Sequence, residues 1–489
     1  MLPAEDRARH GKYFTPPALA QRLLDSVTDA GFDWLRGRIL DPASGGGAFL
    51  APVATRMRLA LASSGCPPAL ALSNIVARVA GIELDGFLAW ASQVFVEAAL
   101  LPLTAAYGST VPLIVTNSDA LTAPATWLAG SFDLVIGNPP YGRTSLAPDL
   151  RQTYQKSLYG HANLYGVFTH LATMLVRPGG LVGYVTPTSF LGGQYFKELR
   201  RLLLDTAPPL AVDFITDRSG VFEDVLQETL LVVLKAQRPG QSVRVQSVKP
   251  TGLAQPSQVG HIGTIPLMAS GDEPWLLPRT VEHQGLLAKT HSLRCRLSDY
   301  GYQVSTGPLV WNRHKDQLSG NPDSSTYPLI WAESIRPDGT FRFAAERRNH
   351  LPYFHPRPRQ GHLVTSGPCV LVQRTTAKEQ ERRIVAACLP GSFVSQHGGV
   401  VVENHLNVIR PMNGKPRVGL EALTALLNSS TVDAVFRCIS GSVAVSAYEL
   451  ESLPLPEVEL ARQLETMLQE NCPREVIEAR IAEMYEVRT

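Results

Sequence analysis

Short apolar runs alternate with stretches of helical periodicity through the first half of the chain. Arg38-Ile39-Leu40 reads as a buried strand, followed by helix-like sequence from Ala48 to about Leu61. Val79–Glu83, Leu113–Val115 and Phe132–Ile136 read as three more strands. A helical pattern over Leu164–Leu175 passes through Pro178-Gly179-Gly180 to a fifth strand, Leu181–Val185; Ala211–Ile215 and Thr229–Leu234 are close enough to form a hairpin. Strands alternating with helices predict an α/β fold with a parallel, doubly wound sheet. Near Ala236 the pattern changes. Beyond Arg238-Pro239-Gly240 helical periodicity fades, and Pro, Gly, Ser and β-branched residues dominate to about Arg417. Helical patterns return at Glu421–Leu427, Val432–Cys438 and Glu459–Val487. The expected division is 1–238, 239–420 and 421–489.

Composition adds three constraints. A chain of 489 residues exceeds one ordinary core. No stretch reaches the roughly 18 uninterrupted apolar residues of a spanning helix, and Met1–Asp6 lacks the basic-then-apolar pattern of a signal peptide; a cytoplasmic protein without membrane contact is expected. The six cysteines form no CxxC pair and have no zinc-ligand spacing, so no metal is expected. The net charge of +2 hides an asymmetry. Residues 241–420 hold 21 Lys and Arg against 12 Asp and Glu, whereas 421–489 hold 5 against 12. A basic middle suits phosphate contact.

Candidate chemistry lies at the ends of the expected strands. Leu40-Asp41-Pro42-Ala43-Ser44-Gly45-Gly46-Gly47 is a strand running into a glycine turn and a helix start. It lacks the Lys-Ser/Thr of a P-loop, which favours an uncharged or zwitterionic ligand part over a phosphate. Glu83 ends the second strand, where a carboxylate can accept both hydroxyls of a ribose; Asp119 follows the third and can accept from an adenine amino group. The fourth strand runs into Asn138-Pro139-Pro140-Tyr141. Its prolines hold the chain extended and remove two donors, leaving the Asn138 side-chain oxygen and the Pro139 carbonyl as acceptors beside an aromatic face. Two acceptors gripping the N–H bonds of a planar amine favour a more tetrahedral nitrogen, whose lone pair can meet an electrophilic methyl group.

These residues resemble the gamma class of adenine-N6 DNA methyltransferases. The resemblance covers roughly residues 10–235 and implies a Rossmann-like class I methyltransferase sheet followed by a mixed α+β target-recognition domain. It implies S-adenosylmethionine as cofactor, with Thr15 of His10–Pro17 at its carboxylate. Asp41, Ala43, Gly45 and Asn138 contact it, Glu83 takes its ribose and Asp119 its adenine. Asn138, Pro139, Pro140 and Tyr141 form the catalytic motif, and Asn163–Phe168 matches the helix that follows. Phe222, in Gly220-Val221-Phe222, holds a flipped base opposite Tyr141. Glu83 lies far beyond Gly47, so an insertion is inferred around Ser63–Ala71.

A base must leave the duplex to be held this way, and the rest of the chain must offset that cost and choose the site. Trp311–Lys315, Arg347-Arg348-Asn349, Arg357–Gln360 and Gln373–Thr376 are candidate contacts to double-stranded DNA. The loop Arg143–Ala162 is expected to touch DNA near the site. Stretches within Ser395–Pro411, Leu426–Ser429 and Glu451–Pro456 loosely resemble specificity domains of restriction-modification systems, which implies a separate cognate restriction endonuclease. Two other readings fit some features: methylation of RNA or a protein glutamine, and a DNA-binding specificity subunit without catalysis.

Overall fold

The computed structural model describes residues 15–105, 108–122, 130–216, 228–237, 242–251, 256–267, 273–290, 292–375, 382–412, 416–439 and 444–486. The chain divides into two compact units, one reaching Glu273 and including Pro278–Val281, the other made of Pro274–Leu277 and everything from Glu282.

The first unit is built on a nine-stranded sheet. Its strands are β1 (Ile39–Asp41), β2 (Val79–Glu83), β3 (Val115–Asn117), β4 (Phe132–Gly137), β7 (Val176–Pro187), β8 (Pro209–Ile215), β9 (Thr229–Lys235), β10 (Ser242–Lys249) and β11 (Gln258–Pro266). A separate two-stranded ribbon pairs β5 (Arg143–Thr144) with β6 (Ala162–Asn163). The order across the large sheet is β3-β2-β1-β4-β7-β9-β8-β10-β11. From β3 to β7 the neighbours are parallel, while β9 runs antiparallel to both β7 and β8. Continuous apolar runs such as Thr229–Lys235 become central strands because helices cover both faces. Among these helices are α1 (Pro17–Asp29), α2 (Leu50–Ser63), α3 (Pro68–Val76), α4 (Gly86–Thr104), α5 (Pro148–Thr153), α6 (Leu164–Leu175) and α7 (Lys197–Thr206). This is the doubly wound, Rossmann-like sheet that the alternation predicts.

Several boundaries move. The expected break at 238 falls inside the sheet, because β10 pairs parallel to β8, and β11 pairs antiparallel to β10. Val243 and Val245 alternate inward as on a half-buried strand, and after a register shift between Val245 and Gln246 Val248 is buried as well. A buried cluster ties this extension to α1: Arg22 donates to Asp213 (2.8 Å) and Gln246 (2.8 Å), and Ser26 donates to Asp213 (3.0 Å). The third strand begins at Val115 rather than Leu113, since the Gln93 side chain accepts from the Ile114 and Val115 N–H groups. The segment inferred as an insertion holds α3, which packs on α2 and α4.

In the second unit an antiparallel sheet runs in the order Tyr302–Thr306, Leu406–Pro411, Cys369–Gln373, Ala386–Leu389. Helices Leu420–Leu427, Ser430–Ile439, Val458–Gln469 and Arg474–Glu486 share one core with it, so residues 421–486 are the helical part of this unit. The single helical pattern 459–487 is two helices, broken where Asn471 takes a left-handed φ of 54° ahead of Pro473. A second, five-stranded sheet runs in the order Leu318–Ser319, Tyr353–Phe354, Tyr327–Ile330, Val400–Val402, Val364–Thr365. By length and composition, α4 is the one helix among the described residues apolar enough to cross a membrane, yet one of its faces packs in the core.

Candidate active site

The chain winds from β1 outward to β3 and then returns to place β4 on the other side of β1. Ligands of such sheets bind beyond the carboxyl ends of the strands at this switch point. A cavity of about 690 Å³ lies there, within the size range of small-molecule sites. Its wall brings together Thr15, Ala43, Gly45, Glu83, Asp119, Asn138 and Pro140 from segments distant in sequence. Pro139, Tyr141 and Asp41 are not in that wall. Phe222 and His10–Phe14 lie outside the described residues. A larger hollow of about 920 Å³ in the second unit holds none of the expected site residues.

The glycine loop is shaped from behind. Gly47 has a φ of +84°, and a Cβ there would press to 3.1 Å on Ser92, so only glycine fits without strain. Asp41 is fully buried; its Oδ1 accepts from the Ala43 N–H at 3.0 Å, and its Oδ2 has no partner. A Cβ on Gly137 would come within 2.7 Å of Asp41 Oδ1, so the residue before Asn138 must be small for β1 and β4 to end side by side. Asp41, expected to contact a ligand, stands behind the cavity wall and holds the loop that lines it. Burial pushes its carboxyl up to about 8 from 3.8, with the Glu83 charge adding and the Ala43 N–H opposing. The folded ligand-free chain therefore holds a proton there between about pH 4 and 8 that the unfolded chain has lost. Stability from this group is complete below pH 4 and falls as pH rises to about 8. Asp41→Asn should flatten that part of a Tm-against-pH curve; an unchanged slope would exclude a protonated Asp41.

Glu83 is a bridge. Its Oε2 accepts from Gly45 N at 2.8 Å, and its Oε1 accepts from Asp85 N at 2.9 Å. One carboxylate thus holds the glycine loop against the start of α4 while lining the cavity. Asp119 caps its own turn by accepting from Leu121 N at 2.9 Å.

Asn138 projects from the end of β4. Its Nδ2 donates to Thr15 Oγ1 at 3.1 Å, so Thr15 orients the amide. Its Oδ1 is buried and has no partner. Ser44 Oγ, also in the cavity wall, is buried and unpartnered as well. Buried polar atoms are nearly always satisfied, so these two cavity-wall atoms can pair with a group that enters the cavity. Tyr141 is anchored: its hydroxyl donates to the Val185 carbonyl at 3.2 Å, and its ring meets Tyr165 edge-on at 6.0 Å. Tyr165 in turn stacks on Phe196 at 4.9 Å.

The loop expected to touch DNA does something else first. Thr144–Ala147 and Leu150 form one wall of the cavity. The buried Tyr154 pins that wall, donating to the Leu121 carbonyl at 3.1 Å and resting edge-on against His170 at 5.4 Å. Ser157 Oγ lies 2.9 Å from His170 Nδ1. Burial holds His170 down to about 4, so it is neutral here. Tyr154→Phe should cost about 1 kcal/mol by orphaning the Leu121 carbonyl, read from urea unfolding; an unchanged midpoint would remove the strap. Sequence reasoning passed over Tyr154 because its partners, Leu121 and His170, come from two other segments. It also passed over an exposed basic and aromatic cluster beside the ribbon: Arg143 lies over Tyr195 (5.6 Å) and Lys197 over Tyr159 (3.9 Å).

In the second unit, three of the four candidate DNA-contact segments converge. Trp311 meets His350 at 6.4 Å, and His350 stacks on Trp331 at 3.7 Å while bonding Glu333 at 3.0 Å. Gln317 donates to the Gln360 side chain at 2.7 Å, and Arg357 pairs with Asp316. Arg313, Lys315, Arg347, Arg348, Arg357 and Arg359 are exposed around this module. In the fourth segment Gln373 turns inward, donating to the carbonyls of Ala332 (3.1 Å) and Ile335 (2.9 Å), while Thr376 lies outside the described residues.

Residues 113–222 match the family described as Eco57I restriction-modification methylase. The chain is 30% identical over 335 residues to the Type II methyltransferase M.PstI of Providencia stuartii, covering 66% of this chain and 65% of that protein. It is 26% identical over 343 residues to the Type II methyltransferase M.BsuBI of Bacillus subtilis, covering 70% and 68%. The match thus spans 65% of the first relative's length. Among solved structures, the Type IIL restriction-modification enzyme MmeI in complex with DNA has a TM-score of 0.53 at 12% identity, covering 96% of this chain and 71% of that one, a likeness of fold.

Proposed function

We propose that this chain, whose residues 113–222 match the Eco57I restriction-modification methylase family, methylates the N6 amino group of an adenine flipped out of double-stranded DNA. The observation that carries this reading is the buried, unpartnered Asn138 Oδ1 at the end of β4. An acceptor held there by Thr15 awaits a donor, and an exocyclic amino group supplies one. The relatives named as Type II methyltransferases support a methyl-transfer chemistry.

The cavity fits S-adenosylmethionine in its donor set. Glu83 and Asp119 offer carboxylates to ribose hydroxyls and an adenine amino group, and Gly45–Gly47 lets backbone approach closely. The cofactor, when bound, supplies the electrophilic methyl group. The chain's own residues then act by position. Asn138 Oδ1 and the Pro139 carbonyl accept from the two N–H bonds of the target amine, so its lone pair is freed from the ring. The anchored Tyr141 offers its ring to the base, and Phe222, outside the described residues, is assigned the opposite face. A proton leaves the methylated nitrogen to water, and no basic side chain is needed. Thr15, through Asn138, is a positioning residue.

The Trp311–Lys315, Arg347–Asn349 and Arg357–Gln360 module is the proposed target-recognition surface, with Arg143 and Lys197 meeting phosphate nearer the site. Arg348→Ala should weaken DNA binding. If it meets phosphate, the loss is similar across sequences and the salt slope falls by about 1; if it reads a base, discrimination at one position relaxes instead. Unaltered binding would remove Arg348 from the interface. A cytoplasmic location and a separate cognate restriction endonuclease complete the proposal. The reading is tested by expressing the chain in methylation-deficient bacteria and sequencing native DNA. N6-methyladenine at one short motif, absent with the Asn138→Ala chain, supports it; unmodified DNA alongside methylated RNA or protein would redirect it.

A further inference from the structure

Helix α4 buries Leu88, Ala89, Ser92, Val96, Leu100 and Leu103 against the first unit's core. Its opposite face carries Phe87, Trp90, Val94, Phe95, Ala98 and Leu101, with Glu97 as its single charged side chain. Spacings of three, four and seven put Phe87, Trp90, Val94, Ala98 and Leu101 in one stripe, roughly 21 Å long at 1.5 Å per residue. Phe87 is 70% exposed, Trp90 60%, Phe95 57% and Leu101 59%. Glu97 stands at the margin, where it accepts from Gln93 at 2.9 Å. Gln93 also binds the Pro112 carbonyl and the Ile114 N–H, which brings Leu113, 76% exposed, beside the stripe. Leu84 is exposed too, but it lines the ligand cavity and is left out.

A helix apolar on both faces is ordinarily covered on both. At roughly 200 Å² for a fully exposed residue of this size, the six large side chains present on the order of 700 Å². That exceeds the largest apolar patch of a typical monomer and approaches the about 800 Å² that each partner contributes to a standard interface. The occupant must accept a patch with no charge at its centre, as homodimer interfaces do more than others. A two-fold contact further requires that one patch hold both projections and recesses. Here Phe87, Trp90 and Leu101 project, and Ala91 and Ala98 are the small positions between them. We propose that a second copy of this chain packs on the outer face of α4, its helix crossing this one near Val94 and Ala98 about a two-fold axis.

Sedimentation of the full chain from about 1 to 100 µM tests this. The wild type should be a dimer, and Trp90→Lys with Leu101→Glu should raise the dimer dissociation constant at least 100-fold. The substituted side chains are exposed, so the thermal midpoint should stay within a few degrees. Ala98→Cys, next to the axis, should form a disulfide-linked dimer on oxidation, above the background of the wild type with its native cysteines. A wild type that stays monomeric at 100 µM overturns the proposal, whether lipid or a different protein then covers the stripe. So does a dimer that persists unchanged in the double variant, or one in which Ala98→Cys does not cross-link.

Discussion

Asn138→Ala should lower the rate of methyl transfer on the order of 10³-fold while leaving S-adenosylmethionine affinity within about threefold. The magnitude is that of removing one preorganised polar group from a transition state, about 10²–10³, with the loss of nitrogen orientation added. The sparing of cofactor binding follows from the geometry. Among the described residues, the Asn138 amide touches Thr15 and presents Oδ1 without a partner, whereas Glu83 is held by Gly45 N and Asp85 N and not by Asn138. Asn138→Asp keeps an acceptor but cannot donate to Thr15 when ionised, so it should fall between the two. Single-turnover rates at saturating cofactor, with affinity measured by calorimetry, separate the two effects. An alanine variant keeping more than a tenth of the wild-type rate would remove Asn138 from the chemistry.

Glu83→Ala should act on the opposite half of the site, weakening S-adenosylmethionine roughly 100-fold while the rate at saturating cofactor stays near normal. The carboxylate accepts from Gly45 N and Asp85 N at 2.8 and 2.9 Å, and in this reading it also holds the ribose. Hydrogen bonds to a charged group are worth about 1.5–3 kcal/mol each, and 100-fold in affinity is about 2.8 kcal/mol. Glu83→Gln retains one acceptor oxygen but turns an NH₂ toward the other backbone N–H, so it should recover only part of the loss. Wild-type affinity in the alanine variant would mean that the carboxylate is a loop brace alone.

How much of this could be read from residues alone depends on whether the determinants are local. Val79–Glu83 and Leu164–Leu175 have the predicted bounds because each carries its own period and its own end signals. Apart from Thr15, the cavity residues were legible because each ends or follows a strand in a parallel sheet, and the topology alone sends those strand ends to one edge. What was hidden rests on partners far apart in sequence. Asp41 reads as a ligand contact until Gly137 closes against it. Tyr154 is an unremarked loop tyrosine until the Leu121 carbonyl and His170 meet it. Pro239-Gly240 looks like a linker, yet β10 beyond it depends on register with β8 and on Arg22 from α1. The outer face of α4 is invisible for a different reason: an apolar helix reads as buried, and only the fold reveals that Phe87, Trp90, Phe95 and Leu101 on one side are exposed. Likewise, the basic segments look scattered along 311–360 until the five-stranded sheet gathers them.

The most direct test of the central claim is to incubate the purified chain with methyl-labelled S-adenosylmethionine and unmethylated double-stranded DNA of mixed sequence, then digest the DNA to nucleosides and separate them. Label in N6-methyladenine, and none when Asn138→Ala replaces the wild type, is the predicted result. Label confined to cytosine, or unlabelled DNA from a protein that demonstrably binds the cofactor, would contradict it.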